Sequence, residues 1–148
     1  MTPHGVLETC LCAADLDAAE RFYTTVLGLP LIERQADRHV FFRCGRGVFL
    51  VFNAAVTAVP AAVAGQTIPP HGTTGAGHVA FAVRDDEIAG WRRRLQAAGV
   101  AIESEVAWPQ GGHSLYFRDP SGNLLELATP RIWGFDADET LDGEGAAS

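Results

Sequence analysis

The chain has 148 residues, a net charge of −7 and a hydrophobic content of 47%, which suits one globular domain or two small modules that share a core. The acidic balance argues against nucleic acids and anionic membrane surfaces as partners. No apolar run approaches the roughly 20 residues that span a bilayer, and no basic stretch followed by an apolar core indicates a secretory signal.

The first half of the chain predicts one helix among four strands. An apolar strand at residues 6–13 is followed by an N-cap at 15–17 and a helix over 18–27, whose apolar residues recur at helical spacing. Gly28 is a C-cap, and Pro30 prevents continuation of the helix. Three further strands are predicted, at residues 31–34, 39–43 and 48–52.

The middle of the chain predicts a connection without further elements. Residues 53–76 contain no Lys, Arg, Asp or Glu and are rich in Ala, Val, Pro, Gly and Thr. Because they show little periodicity, we interpret them as a linker or a lid.

The second half repeats the order of the first. A strand at 78–83 precedes a helix that is capped by Asp85 and Asp86 and closed by Gly99. Strands are then predicted at residues 101–108, 114–117 and 124–129.

This repetition predicts an α+β fold class with two tandem βαβββ modules. We expect a single domain over residues 1–135, followed by an acidic flexible tail at 136–148. Within the domain, we expect module one at 4–54, a linker at 55–76 and module two at 77–130.

The three cysteines are Cys10, Cys12 and Cys44. An odd count without a signal peptide favours reduced thiols and a cytoplasmic location. Cys10 and Cys12 lack the spacing of a zinc knuckle, so we expect them to be packing residues in a strand.

One carboxylate lies in a strongly apolar strand near the end of the chain. The residues Asp119-Pro120-Ser121-Gly122 are typical of a turn, and the strand that follows carries Glu126 between leucines. A carboxylate in the fold loses hydration unless it is paired or coordinated. A divalent metal ion would compensate Glu126, and an edge position that faces water is the other interpretation.

Strand alternation places Glu8, His78 and Glu126 beside mostly small side chains. A sheet face of this kind suits a cupped cavity better than a filled core. One imidazole and two carboxylates suit divalent Zn, Ni, Fe, Mn or Co, and three protein ligands leave positions for water or substrate. Each residue also has an ordinary interpretation, as a solvated carboxylate or a hydrogen-bonded strand histidine.

Three sets of residues resemble the vicinal oxygen chelate superfamily, which includes glyoxalase I, extradiol dioxygenases, fosfomycin-resistance thiol transferases and bleomycin-binding proteins. The resemblance covers residues 4–130. The motifs that carry it are residues 14–17 with 21–23 and 27–29, then 77–81, and then 116–123 ending in Glu126.

The resemblance implies a U-shaped mixed sheet around a cavity with one divalent metal ion, held by Glu8, His78 and Glu126. Glu8 stands where the family usually has His or Gln. The further carboxylate of glyoxalase I has no counterpart in the apolar segment 48–52, which argues against true glyoxalase I activity.

The predicted catalytic residues are Glu126 and Tyr116, and Tyr116 matches a family position near substrate. His113 has the opposite strand parity to Tyr116, and its role is left open. The predicted substrate-binding residues are Ser114, Tyr116, Cys10, Phe49 and Trp108.

Two functions remain open. The first is a metal-dependent lyase, isomerase or dioxygenase whose small substrate chelates the metal through vicinal oxygens. The second is a metal-free binding protein of the bleomycin-resistance kind, which sequesters a small molecule and in which Trp108, Trp133 and Phe49 supply stacking surfaces. The retention of three ligands favours the enzyme. The resemblance implies a homodimer, with the site within one chain or across two.

Overall fold

A computed structural model of the protein describes residues 1–136. The chain divides into two compact units, Met1–Gly77 and a second unit that begins at His78. Each unit contains a four-stranded mixed sheet and a ten-residue helix in the order βαβββ. The predicted α+β class with two βαβββ modules is therefore confirmed.

The sheet of the first unit has the strand order β1-β4-β3-β2. Strand β1 is parallel to β4, and the other neighbours are antiparallel. The elements are β1 (Glu8–Cys12), α1 (Leu16–Thr25), β2 (Leu31–Gln35), β3 (His39–Cys44) and β4 (Gly47–Phe52).

Helix α1 covers one face of this sheet. The Asp15 side chain caps it by accepting a 2.8 Å hydrogen bond from the backbone N–H of Ala18, so the helix starts two residues before the predicted bound. Gly28 has a φ of 74°, a left-handed conformation that ends helices. Tyr23 is fully buried, with its ring centroid 4.8 Å from that of Phe49, so this face of the sheet forms the core of the unit.

The connection between the modules contains three short elements that were not predicted. The Asn53 side chain accepts a hydrogen bond from Ala55 at 3.1 Å and so caps a helical turn. Ala64 and Gly65 both have positive φ, as a two-residue hairpin turn requires. The absence of apolar periodicity concealed these elements, which are α2 (Ala54–Thr57), β5 (Ala61–Val63) and β6 (Gln66–Ile68).

The second unit repeats the pairing pattern, with the strand order β7-β10-β9-β8. Strand β7 is parallel to β10, and β9 is antiparallel to both of its neighbours. The elements are β7 (His78–Ala82), α3 (Ile88–Ala97), β8 (Ile102–Ala107), β9 (His113–Arg118) and β10 (Leu124–Ala128).

The start of helix α3 differs from the prediction. Asp85 and Asp86 lie within a 3-10 turn, Asp85–Glu87, rather than at the cap. Glu87 accepts the hydrogen bond from the backbone N–H of Arg84 at 2.9 Å. The Glu87 side chain, three residues after Arg84, thus accepts the hydrogen bond from a backbone N–H group at the start of the turn.

Of the tail predicted at 136–148, only Asp136 belongs to the described residues; the remainder lies outside them. Within the described part, no helix has the length and apolar character needed to cross a membrane.

Candidate functional site

His78 and Glu126 lie on the neighbouring parallel strands β7 and β10. Nε2 of His78 is 3.3 Å from Oε2 of Glu126. Nδ1 of His78 is 3.0 Å from the backbone carbonyl oxygen of Leu124. Because a carbonyl only accepts hydrogen bonds, Nδ1 carries a proton, and Nε2 is the ring nitrogen that faces the carboxylate.

Glu126 is buried, with 5% of its surface exposed. Its Oε1 accepts a 2.5 Å hydrogen bond from the hydroxyl of Ser114, which in turn accepts a 2.9 Å bond from the indole N–H of Trp108. This chain of donors fixes the carboxylate and offsets part of its lost hydration. Glu126 is buried on β10, which lies between β7 and β9. The structure therefore excludes the interpretation in which Glu126 lies on an edge strand and faces water.

Tyr116 lies directly opposite Glu126 in the pairing of β9 with β10. Burial raises the pKa of the Tyr116 hydroxyl, a hydrogen bond with Glu126 raises it further, and a hydrogen bond with Ser114 opposes the rise. The phenol therefore stays protonated at neutral pH and acts as a hydrogen-bond donor. Its ring also lies near the imidazole of His78, with centroids 6.4 Å apart.

In the first unit, Glu8 and Cys10 line an open cavity of about 1160 Å³. Glu8 and Cys10 share one face of the sheet, as strand alternation predicted. Helix α1 packs on the other face, where Tyr23 contacts Phe49. Burial raises the pKa of the Cys10 thiol, and the nearby Cys12 and Glu8 raise it further. Cys10, Cys12 and Cys44 are all in the reduced, thiol form, and the shift makes Cys10 a weak nucleophile at neutral pH.

The structure places Phe49 in the core of the first unit rather than at the cavity. It is 1% exposed and pairs with Thr9, whereas Cys10 pairs with Leu50 on the other face. Phe49 is therefore not part of the site.

Trp133, the third predicted stacking residue, lies on the surface of the second unit, with 76% of its area exposed.

Trp108 contributes through its indole N–H, as the donor to Ser114. His113 is half exposed, and its Nδ1 lies 3.9 Å from Oδ1 of Asp85.

Sequence reasoning missed several residues of the cavity in the first unit. His39 is 6% exposed, its ring stacks on that of Phe41 with centroids 3.9 Å apart, and Nε2 lies 3.4 Å from Oε1 of Glu33. Strand alternation could have identified these residues. His39 and Phe41 lie on the same face of a predicted strand, and Phe52, which pairs with Cys12 and with His39, lies on that face too.

The His78 and Glu126 pair fits a divalent metal ion. Zinc binds imidazole nitrogen and carboxylate oxygen at about 2.0 to 2.2 Å, so two such ligands are about 2.9 Å apart at a right angle and about 3.4 Å apart at the tetrahedral angle. The observed 3.3 Å falls between these values. Among residues 1–136, no three His, Cys, Asp or Glu side chains form a group that could hold a metal ion. The role of Glu8 as a third ligand therefore remains a prediction.

Comparison with known proteins gives a family match over most of the chain. The model of the Glyoxalase/Bleomycin resistance protein/Dioxygenase superfamily matches residues 5–127. The crystal structure of a lactoylglutathione lyase from Agrobacterium tumefaciens is 40% identical, covers 91% of this chain and 100% of its own, and has a TM-score of 0.84.

Two further relatives carry different names. Glutathione transferase FosA from Serratia marcescens is 32% identical over 121 residues, which are 79% of this chain and 74% of that protein. The putative ring-cleaving dioxygenase MhqA from Bacillus subtilis is 45% identical over 69 residues, 46% of this chain and 21% of that protein. The match with MhqA thus spans about a fifth of its length.

Proposed function

Because the chain belongs to the Glyoxalase/Bleomycin resistance protein/Dioxygenase superfamily, we propose that it is a metal-dependent enzyme. Its substrate is a small molecule that offers two neighbouring oxygen atoms. The names of the relatives include a lyase, a glutathione transferase and a ring-cleaving dioxygenase. They support the superfamily and leave open a lyase, isomerase or dioxygenase reaction.

The observation that carries the proposal is the arrangement of His78 and Glu126. Each ligand is held by a second contact, His78 by the carbonyl of Leu124 and Glu126 by Ser114. Metal-binding histidines and carboxylates in proteins are oriented by partners of this kind.

His78 and Glu126 would hold the ion, and Glu8 is proposed as the third ligand from the strand pattern and the family resemblance. A divalent ion such as Zn, Ni, Fe, Mn or Co, when bound, supplies Lewis-acid polarisation of the two substrate oxygens.

Side chains of the protein would donate and accept the protons of the reaction. Tyr116, which is protonated, donates a hydrogen bond or a proton to an oxygen where negative charge develops. Glu126 would accept a proton at Oε2, and the hydrogen bond from Ser114 would hold Oε1 in place.

We test the proposal by metal analysis of protein purified without added metal or chelator. The wild type is expected to contain about one divalent ion per chain, and His78→Ala and Glu126→Gln are expected to lose it. His113→Ala is the matched control, because His113 also lies beside a carboxylate but at 3.9 Å and on the surface. It should keep the metal.

The same measurement separates the enzyme from a metal-free binding protein. Protein that takes up no metal even after reconstitution would overturn the proposal and favour sequestration of a small molecule. We also propose that the protein is a cytoplasmic homodimer, because its three cysteines are reduced and because the family resemblance implies a dimer. The mass of the protein in solution would test the dimer.

A further inference from the structure

The open face of the first sheet forms a cavity whose lining residues all lie between Glu8 and His71. The cavity therefore belongs wholly to the first unit. Its volume of about 1160 Å³ exceeds the roughly 300 to 1,000 Å³ of ordinary small-molecule sites. A ligand with two fused rings fits easily.

One wall of the cavity is a continuous set of rings. His39 stacks on Phe41 with an interplanar angle of 7°. Phe52 meets Phe41 edge to face at 5.3 Å, and His71 meets Phe52 in the same manner at 4.6 Å. Such a wall binds planar apolar molecules by stacking and edge contacts.

The wall is not explained by packing alone. His39 is buried, and its Nδ1 has no hydrogen-bond partner among the described residues. Native proteins seldom keep a buried polar atom unpaired. Val59 and Val63, which also line the cavity, are 61% and 57% exposed, so a ligand would remove apolar surface from water.

The charged groups of the cavity have an acidic balance. Besides Glu8, the proposed metal ligand, two carboxylates, Glu33 and Asp37, line it together with one guanidinium, Arg38. With neutral histidines, these three groups have a net charge of −1. An anionic ligand would be repelled, whereas a cation would be attracted.

We propose that this cavity binds the planar, apolar part of a neutral or cationic substrate and disfavours anionic ones. The inference deepens the proposed function by naming a substrate class, and it depends on that function only in calling the ligand a substrate. It separates this protein from enzymes that take glutathione conjugates, which are net anions. The aromatic wall supplies the affinity, and the carboxylates supply the discrimination by charge.

The test uses three probes that have the same ring system and different charge: 2-naphthylmethylammonium, 2-naphthalenemethanol and 2-naphthoate. None has vicinal oxygens, so binding is measured by calorimetry on chelator-treated, metal-free protein. We expect the ammonium probe to bind most tightly and the carboxylate probe to bind at least roughly tenfold more weakly. The full-length Glu33→Gln/Asp37→Asn variant should reduce this ratio several-fold.

Two further variants locate the binding. Phe41→Leu should weaken all three probes about equally, because it removes stacking area without changing charge. Asp86→Asn is the charge control, because Asp86 is an exposed carboxylate of the second unit, and it should leave the ratio unchanged.

Three outcomes would overturn the inference: equal or tighter binding of 2-naphthoate, an unchanged ratio in the double variant, or no binding of any probe up to about 1 mM. None of them depends on metal, so failure here is distinct from failure of the metal analysis of Glu126→Gln.

Discussion

The hydroxyl of Ser114 donates a 2.5 Å hydrogen bond to Oε1 of Glu126, and both side chains are buried. Ser114 lies on β9 and Glu126 on β10, where the pairing of Ala128 with Ser114 brings the two strands side by side. The bond occupies one carboxylate oxygen and leaves the other, Oε2, directed at His78. Ser114 and His78 thus approach different oxygens of the same carboxylate.

Replacement of Ser114 by alanine tests whether this bond orients a metal ligand. We expect Ser114→Ala to fold and to bind metal with an affinity reduced about 10- to 100-fold, because the carboxylate loses its orienting donor. A competition titration with a chromogenic chelator measures this affinity. Ser104→Ala, at an exposed serine of the neighbouring strand β8, should match the wild type. Equal affinities in both variants would show that the bond is structural only.

The Tyr116 hydroxyl should ionise above the ordinary tyrosine value. Burial and the hydrogen bond with Glu126 raise the pKa, so the difference between the ultraviolet titrations of the wild type and Tyr116→Phe should show a step above pH 10. Glu126→Gln removes the negative charge and should move this step to lower pH. A step at or below pH 10 in the wild type would contradict the assignment.

The same shift has a consequence for stability. An unfolded tyrosine loses its proton near pH 10, before the folded one does. Because the unfolded chain then binds fewer protons, the free energy of unfolding falls as pH rises above 10. Tyr116→Phe should reduce that fall, which urea unfolding at pH 9 and pH 10.5 would detect.

Cys10 should react slowly with iodoacetamide at pH 7.5. Burial raises its pKa, and the neighbouring Cys12 and Glu8 add to the rise, so little thiolate is present. Glu8→Gln removes one of these causes and should increase the labelling rate of Cys10, as read by peptide mass spectrometry. Glu103→Gln, a carboxylate of the second unit, is the control. A rate that is unaffected by Glu8→Gln would contradict the proximity of the two side chains.

The turn before β10 should be important for stability. Asp119 is 5% exposed and accepts hydrogen bonds from the backbone N–H groups of Ser121 and Asn123 and from the Asn123 side chain, all at 2.9 Å. Asp119→Ala removes these three buried or partly buried hydrogen bonds and should lower the free energy of unfolding by about 2 to 3 kcal/mol. Urea unfolding measures it, and exposed Asp86→Ala should change it by less than about 0.5 kcal/mol. An equally small effect of Asp119→Ala would refute the role of the turn.

Much of the fold is encoded in local signals. Asp15 as a cap and Gly28 in a left-handed conformation delimit α1 within a few residues, and these effects require no distant contact. Alternation also predicted that Glu8 and Cys10 share a face. The segment 53–76 was an exception, because its cap at Asn53 and its turn at Gly65 lie among residues without periodicity.

The candidate site required more than local signals. The sequence by itself determined that a carboxylate, Glu126, lies in an apolar strand, and that a histidine, His78, begins the corresponding strand. Tertiary structure decided that the two meet, because parallel pairing of β7 with β10 sets their register. It also decided that Phe49 faces Tyr23 in the core while His39 faces the cavity, since alternation separates the two faces of a strand and only packing against α1 decides which one is covered.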